Sequence, residues 1–404
     1  MNHRLVLGLG GCVDFEIDWD ADVLADLARE HHIGLADLDP AVPIQDERSL
    51  VCSLLGFLRD DRGGERFVAS SALAIDFAER FGYRISLGGT CVRAAMAIAK
   101  LGVPSLVHLV SIDDNVRRLL PASVDYLCSA EGDSLDPHVI VQYPAGATVA
   151  LIDGEVHSTH PNRIIYVNDP PNRDLVLSDE LPDALVNARA FLPAGFNVMT
   201  DPALLRERLT FLQAAMRRLP DEAVVFYEDS GFHDDALRGI VSREFSGRID
   251  VHSLNEDELQ AYLGRPVDLL AATQVKQALA DFFHEFSIAP TVVVHTKYWA
   301  LAFGREPQRY CDALTAAIDL AGVRYRNGDD FTIEDLAAVR ALPVRPDGQR
   351  FTEQLSAEMG KTVCCVPTRL IDTDTPTTIG LGDTFVGGFL AATLVSAPRM
   401  ENPA

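Results

Sequence analysis

TTIGLGDTF, residues 377–385, joins a glycine-rich turn to an apolar run typical of a helix. Gly380 and Gly382 permit a tight turn, and the helix after them would begin with unpaired N–H groups, which favour an anion. Asp383 stands at that helix start. A carboxylate beside an anion suits a base that takes a proton while a phosphoryl group moves onto a hydroxyl. The alternative interpretation is an ordinary helix N-cap.

Apolar segments typical of strands alternate with amphipathic segments typical of helices through most of the chain. Examples are AFLPAGFN (190–197), AVVFYED (223–229) and IDVHSLNEDELQAYL (249–263). This alternation predicts an α/β protein with a mostly parallel central sheet and helices on both faces. Residues 50–70 look like a hairpin with a Gly-Gly turn, and residues 138–168 alternate apolar and polar side chains, so we expect a small antiparallel sheet as well.

Composition restricts the classes of partner. The formal net charge of −24 over 404 residues disfavours nucleic acid and anionic membrane as partners. An anionic substrate would therefore need a local basic or backbone-amide site. We see no signal peptide and no membrane span, and expect a cytoplasmic protein. We expect reduced core thiols, without zinc or disulfides, at the scattered cysteines, which are Cys12, Cys52, Cys91, Cys128, Cys311, Cys364 and Cys365.

Acidic side chains follow two further strand-like segments. Glu228 ends one, and LNEDEL (254–259) places Asn255, Glu256 and Glu258 at the end of the next. Oxygen ligands of this kind could hold Mg²⁺ directly or through waters. A solvated helix N-terminus, which favours acids, is the alternative. If the strands are parallel, these groups and Asp383 meet at one sheet edge.

These motifs together resemble the ADP-dependent glucokinase/phosphofructokinase family of the ribokinase-like superfamily. The resemblance covers most of the chain and rests on VPTRL (366–370), TTIGLGDTF, LNEDEL, VVHTKYWAL (293–301), NRIIYVND (162–169) and the glycine pair before the helix at 90–101. It implies a three-layer α/β/α ribokinase-like core, residues 1–14, 71–136 and 161–404. A small antiparallel β lid, residues 15–70 and 137–160, would cover the sugar site.

The resemblance also implies roles for individual residues. Asp383 would be the base, and the amides around Gly380 and Gly382 would form the anion hole. The implied Mg²⁺ ligands are Glu228, Asn255, Glu256 and Glu258. The residues implied for ADP are Arg163, His295, Thr296, Val366, Thr368, Ile379 and Leu381. The residues implied for the acceptor are Asp14, Gly88, Gly89, Thr90, Arg93 and Asn197. Arg93 would bind the phosphate of a sugar phosphate or, alternatively, lie on the surface of an amphipathic helix.

One position departs clearly from the family pattern, and the sugar loop also differs, with Thr90 and Arg93 where the family tends to have small or amide residues. Phe226 stands where the family's H-x-E motif has His, although Glu228 is retained. We therefore expect a kinase that forms AMP from ADP and keep two alternatives: an ATP-dependent ribokinase or nucleoside kinase, and a sugar or nucleotide sensor with weakened catalysis. The sequence leaves the acceptor open, and an exposed lid sheet could serve as a homodimer face.

Overall fold

The computed structural model describes residues 4–232, 234–245, 248–374 and 376–396; the end of the predicted core, residues 397–404, lies outside this range. The strands are β1 (Leu5–Leu7), β2 (Cys12–Ile17), β3 (Gly64–Phe67), β4 (Tyr83–Gly88), β5 (Ser105–Leu109), β6 (Val124–Cys128), β7 (His138–Tyr143), β8 (Thr148–Ala150), β9 (Glu155–His157), β10 (Asn162–Val167), β11 (Ala190–Leu192), β12 (Val224–Glu228), β13 (Val251–Asn255), β14 (Thr291–His295), β15 (Trp299–Gly304) and β16 (Val363–Pro367).

The α-helices surround these strands. They are α1 (Ala21–Glu30), α2 (Glu47–Arg59), α3 (Ser71–Ala78), α4 (Thr90–Ala99), α5 (Asp114–Leu119), α6 (Pro170–Asp174), α7 (Leu181–Leu185), α8 (Pro202–Met216), α9 (Asp235–Phe245), α10 (Glu256–Leu263), α11 (Ala272–Glu285), α12 (Cys311–Asn327), α13 (Ile333–Arg340), α14 (Pro346–Met359) and α15 (Leu381–Ser396).

The larger sheet has nine strands in the order β16-β15-β14-β13-β12-β11-β1-β5-β6. Neighbours from β14 to β6 pair in parallel, whereas β15 and β16 are antiparallel to their neighbours. The predicted mostly parallel sheet is confirmed. Because the strands run the same way, the carboxyl ends of β12, β13 and β14 lie side by side at one edge.

Apolar side chains bury both faces of this sheet. On one face, Phe226 of β12 packs in the same core as Phe389 of α15 and residues of α4 and α12. On the other face, Tyr227 joins a core with α8 and α9, and Trp299 joins one with α11 and α14. Alternation along β12 sends successive side chains to opposite faces. The predicted three-layer arrangement is therefore present.

The second sheet has five strands in the order β3-β10-β7-β2-β4, and β8 and β9 form an antiparallel pair. Antiparallel pairing occurs at β10–β7 and β2–β4, while β3–β10 and β2–β7 are parallel. Strands β4 and β10 belong to this sheet, although the sequence analysis placed their residues in the core. The action of this second sheet as a lid stays a prediction.

The predicted hairpin at residues 50–70 is wrong. Residues 47–59 form α2, which the Asp46 carboxylate caps by accepting from Ser49 N at 2.8 Å. Every residue from Leu50 to Leu58 is buried. A continuous apolar run does not distinguish a buried helix from a buried strand, because the alternation that marks the period is absent. Only the last part of the segment, β3, is extended.

The expectation of reduced cysteines throughout is also wrong. Cys311, at the start of α12, forms a disulfide with Cys364 on β16, with 5.9 Å between their Cα atoms. The two residues are 53 positions apart, and only the packing of α12 beside β16 brings them together. The other five cysteines are free. Among the described residues, no helix is both long and apolar enough to cross a membrane.

Candidate active site

The turn at residues 379–383 contains Gly380 and the first residues of α15, at the edge of the larger sheet. Gly380 has φ +69°, which favours glycine, and the first bond of the helix runs from Thr384 N to Gly380 O at 3.0 Å. The amides of 381–383 therefore come before the first intrahelical bond. Asp383 is half-buried in this turn, beside the half-buried Leu381, while Ile379 is buried. This geometry can accommodate an anion next to a carboxylate.

Two arginines pack against Gly380. A Cβ placed there would lie 2.9 Å from Arg93 Cδ and 3.2 Å from Arg324 Nη2. The Arg324 Nε–H donates to the Ile379 carbonyl at 2.8 Å, which holds the turn in place. Glycine is therefore needed at 380 for space as well as conformation, and two positive charges border the proposed anion site.

Arg93 is buried, with 4% of its surface exposed, and its Nη2 lies 2.6 Å from Asp14 Oδ2. The alternative of a surface arginine at this position is therefore wrong. Burial alone would lower the pKa of the guanidinium, but attraction by Asp14 and Asp383 outweighs it and raises the pKa. The predicted acceptor residues Asp14 and Arg93 thus lie together, within electrostatic reach of Asp383.

The two glycines before α4 bring that helix close to Asp14. A Cβ at Gly88 would collide with the Asp14 carboxylate and would lie 2.6 Å from Cys12 Sγ. Gly89 has φ +88° and lies just before Thr90, the half-buried first residue of α4. The structure therefore brings Asp14, Gly88, Gly89 and Arg93 together. Asn197 is half-buried in the segment after β11.

An ion network that the sequence analysis did not find joins the second sheet to α12. Arg84 on β4 contacts Glu16 on β2 at 2.7 Å and Asp329 at 3.4 Å. Asp329 contacts Arg324 at 2.5 Å, and Arg93 lies 3.8 Å from Glu16. The cross-strand pair of Glu16 and Arg84 could have been found from a correct register of β2 and β4. Arg324 carried no recognisable signal.

Arg163 projects from β10 of the second sheet and is exposed. Neighbouring protein lowers the pKa of its guanidinium by desolvation, whereas attraction by Asp383 opposes this shift. The predicted nucleotide-binding arginine therefore lies within the electrostatic field of the predicted base. It supplies a third positive charge, within electrostatic reach of Arg93.

The predicted metal residues lie at or just beyond the carboxyl ends of β12 and β13. Glu228 Oε1 lies 3.0 Å from His295 Nε2 at the end of β14, and Glu228 Oε2 is buried without a hydrogen-bond partner among the described residues. The His295 ring stacks on Phe385 of α15, with 4.5 Å between ring centroids. His295, expected to contact the nucleotide, thus connects the Glu228 strand end to the helix that carries Asp383.

Asn255 and Glu258 form a capping box at the start of α10. Asn255 Oδ1 accepts from Asp257 N and Glu258 N at 2.8 and 2.9 Å, and Glu258 Oε2 accepts from Asn255 N at 2.8 Å. The helix N-terminus expected by the alternative interpretation is therefore present, and these two residues cap it. It occupies Asn255 Oδ1 and one oxygen of Glu258.

Burial raises the pKa of Glu256 and of Glu258, and the nearby Glu228 raises that of Glu258 further. A bound cation would relieve this repulsion. The carboxylate oxygens of these three residues do not all lie within 4.8 Å of one another, so a cation shared by all of them would need bridging waters.

Phe226 lies on the same face of β12 as Glu228 but deeper in the molecule. It is completely buried, and its ring packs 4.9 Å from that of Phe389 between the sheet and α15. The departure from the family motif therefore places an apolar ring in an apolar core.

The remaining predicted nucleotide residues shape the turn after β14. Thr296 Oγ1 donates to the Trp299 carbonyl and accepts from Trp299 N at 3.1 Å. Thr368 Oγ1 donates to the Lys297 carbonyl at 2.9 Å, and Val366 pairs with β15 through the backbone. These residues lie at the same sheet edge as His295, with the two threonine hydroxyls engaged in the turn.

Comparison with known proteins gives consistent matches. The model of the ADP-specific phosphofructokinase/glucokinase conserved region matches residues 3–392. The ADP-dependent glucose/glucosamine kinase of Pyrococcus furiosus is 22% identical over 390 residues, which cover 84% of this chain and 83% of the relative. The solved structure of a hypothetical ADP-dependent phosphofructokinase from Pyrococcus horikoshii superposes with a TM-score of 0.77 at 17% identity, covering 98% of both chains.

A second solved structure is that of an ADP-dependent kinase in complex with fructose 6-phosphate and ADPβS. It superposes with a TM-score of 0.75 at 13% identity, covering 99% of this chain and 95% of the other. At these identities the structural likeness establishes the fold.

Proposed function

Since this chain belongs to the ADP-specific phosphofructokinase/glucokinase family, and is thus a sugar kinase, we propose that it transfers the β-phosphoryl group of ADP to a hydroxyl of a sugar or sugar phosphate and releases AMP. The observation that carries this proposal is the Gly380–Asp383 turn. It combines helix-start amides, a half-buried carboxylate and adjacent arginines in one place.

In the proposed reaction Asp383 takes the proton of the acceptor hydroxyl, and the hydroxyl oxygen attacks the β-phosphorus in line. The bond from the β-phosphorus to the bridging oxygen breaks, and AMP leaves. The amides of 381–383 and the guanidinium of Arg163 would stabilise the negative charge on the transferring group. The start of α15 already orients these amides, so little reorganisation of them would be needed.

Asp14 is proposed to orient the acceptor by accepting hydrogen bonds from its hydroxyls. Arg93 already occupies Asp14 Oδ2, which leaves Oδ1 directed toward Cys12 and His138. Gly88 keeps the space beside this carboxylate clear. The second sheet, which carries Asp14 and Arg163, is proposed to close over the acceptor and exclude water.

The acidic strand ends fit a divalent cation. Glu228 Oε2 is a buried oxygen without a partner among the described residues, and the carboxylates of Glu256 and Glu258 are destabilised by burial. We propose that these three residues hold Mg²⁺. Asn255 would contribute by capping α10, the helix that carries Glu256 and Glu258. Mg²⁺ bound there would neutralise charge on the phosphoryl oxygens.

The relatives support two acceptor classes. One is named a glucose/glucosamine kinase, and one solved structure contains fructose 6-phosphate. The test is a screen of the purified full chain with Mg²⁺ and either ADP or ATP against glucose, glucosamine, fructose 6-phosphate, ribose 1-phosphate and nucleosides. The phosphorylated product should be identified by mass spectrometry, because contaminating adenylate kinase also forms AMP from ADP.

We expect one acceptor to be phosphorylated with ADP, and product formation to fall about 10²–10⁴-fold in an Asp383→Asn preparation purified identically. Turnover with ATP alone would overturn the proposed donor and favour a ribokinase-type enzyme. Ligand binding by calorimetry without turnover would overturn catalysis and favour a sensor.

A further inference from the structure

Cys12, Asp14 and His138 form a compact group at the centre of the second sheet. One ligand atom from each lies within 4.8 Å of the others. Cys12 and Asp14 project from the same face of β2, and His138 is the direct neighbour of Asp14 across the β2–β7 pairing. Cys12 Sγ is 3.3 Å from Asp14 Oδ1, and His138 Nδ1 is 4.0 Å from the same oxygen. A sulfur, a nitrogen and an oxygen thus converge on one point.

An independent carboxylate orients the histidine. His138 Nε2 lies 3.0 Å from Asp169 Oδ2, and Asp169 is only 4% exposed. Asp169 is itself fixed by Asn172, whose side-chain amide donates to Oδ2 at 2.6 Å. With Nε2 engaged in this way, Nδ1 faces Cys12 and Asp14. Histidines that ligate metals characteristically place their other ring nitrogen against a carboxylate in this manner.

The donor set matches a borderline-soft transition metal. Zn²⁺ takes thiolate, imidazole and carboxylate ligands, whereas Mg²⁺ prefers oxygen alone. For a tetrahedral ion the sulfur–oxygen separation should be about 3.5 Å and the nitrogen–oxygen separation about 3.3 Å. The first is close to the observed 3.3 Å, and the second requires the imidazole to approach Asp14 from 4.0 Å. Cys12 is half-buried and the His138 side chain is 15% exposed, so an ion can enter.

We propose that Cys12, Asp14 and His138 bind Zn²⁺ through three protein ligands, with Asp169 orienting His138 and the fourth position open to water. The thiol proton of Cys12 and the Nδ1 proton of His138 pass to solvent as the metal binds. Zn²⁺ at this position occupies Asp14 Oδ1, so it competes with the acceptor. The competition rests on the proposed function, whereas metal binding does not.

Binding is tested with Co²⁺ and Zn²⁺ on the purified full chain in the presence of a mild reductant and without nucleotide. Co²⁺ should produce a near-ultraviolet thiolate-to-cobalt charge-transfer band, and Zn²⁺ should abolish it. The band should be absent in Cys12→Ser and retained in Cys128→Ser, a matched control because Cys128 is also a half-buried free thiol. A wild-type chain without the band, or a band retained in Cys12→Ser, would overturn the site.

Asp169→Asn tests the orientation of His138 while leaving the three metal ligands unchanged. It should retain the band but weaken Zn²⁺ binding about 10–100-fold in competition with a chromophoric chelator. Unchanged affinity would overturn the orienting role of Asp169. Thermal melts of each variant without metal identify any that fail to fold, and His138→Gln then replaces a misfolded Cys12→Ser as the variant expected to lose tight binding.

The competition is tested separately by steady-state kinetics. Zn²⁺ should raise the KM of the acceptor in the wild type and have less effect in Cys12→Ser. If Zn²⁺ inhibited by replacing Mg²⁺ at the proposed Mg²⁺ site, the inhibition would be equal in both proteins. Equal inhibition would overturn the competition. Metal binding without any kinase turnover would overturn the proposed function and leave the metal site standing.

Discussion

The guanidinium of Arg93 lies 2.6 Å from the carboxylate of Asp14, and both side chains are 5% exposed. Arg93 on α4 thus pairs with Asp14, the residue proposed to orient the acceptor. Each charge compensates the other where little water is available. Arg93 also packs against Gly380, which links the proposed acceptor region to the turn that carries the proposed base.

Arg93→Met should therefore destabilise the protein strongly. Breaking a buried ion pair by removing one partner typically costs about 3–5 kcal/mol, because the other charge remains buried and unpaired. Urea unfolding measures the loss, and Arg117→Met, which removes a solvent-exposed pair with Asp133, should change stability little. Equal effects of the two substitutions would contradict this account of Arg93.

Asp383→Asn should lower turnover about 10²–10⁴-fold, since a general base contributes a factor of that order. The amide is nearly the same size, so the thermal midpoint should change little. Steady-state formation of the phosphorylated sugar measures the effect. Asp374→Asn, an exposed acid in the same segment, should retain wild-type turnover. Near-normal activity in Asp383→Asn would remove this residue from the mechanism.

His295→Gln should raise the Mg²⁺ concentration needed for half-maximal activity by about 10–100-fold, the usual effect of removing a group that orients a metal ligand. The reason is the 3.0 Å contact between His295 Nε2 and Glu228 Oε1. A Mg²⁺ titration at saturating ADP measures this, with the exposed His284→Gln as control. If KM for ADP rises while the Mg²⁺ requirement stays constant, His295 acts on the nucleotide instead.

Phe226→His should lower stability without improving catalysis. The imidazole would be buried against Phe389, and an unsatisfied buried polar group costs about 1–3 kcal/mol. Phe226→Leu keeps the site apolar but removes the ring. It therefore measures the stability lost with the ring volume alone, without the cost of a buried polar group. Urea unfolding and turnover are measured on both variants. Higher turnover in Phe226→His would show that position 226 contributes to the metal site.

His108 should make the protein sensitive to acid. It is completely buried and accepts from Ser178 N at 2.9 Å, and burial lowers its pKa to about 4. The unfolded chain binds this proton near pH 6.5, so stability is lost as pH falls from 6.5 toward 4. The loss from this group is about 3 kcal/mol.

Urea unfolding at pH 7 and pH 4 should show this loss reduced in His108→Gln and unchanged in the exposed His157→Gln. An equal loss of stability in His108→Gln and the wild type would contradict the assignment to His108.

The larger sheet was predictable because its strands alternate with amphipathic helices and end in polar residues. Helix α2 was not, because its run of buried residues carries no period. The positions of Glu228 and Asn255 at one edge follow from parallel strands, whereas Asp383 follows β16 only after a long loop and lies in the first turn of α15. Arg324 could not be found, since it reaches Ile379 from a helix distant in sequence, through a contact that only the packing of α12 against α15 creates. The pairing of Cys311 with Cys364 depends on packing in the same way.

The capping box of Asn255 and Glu258 has an evolutionary consequence. Both residues are needed to begin α10, whether or not a metal binds beside them. A descendant that abandoned phosphoryl transfer would still be selected to keep them for folding. Retention of residues corresponding to Asn255 and Glu258 in a related gene is thus weak evidence that its product is a working enzyme. Asp383, the proposed base, has a half-buried carboxylate close to Arg93 and would be the better marker of retained activity.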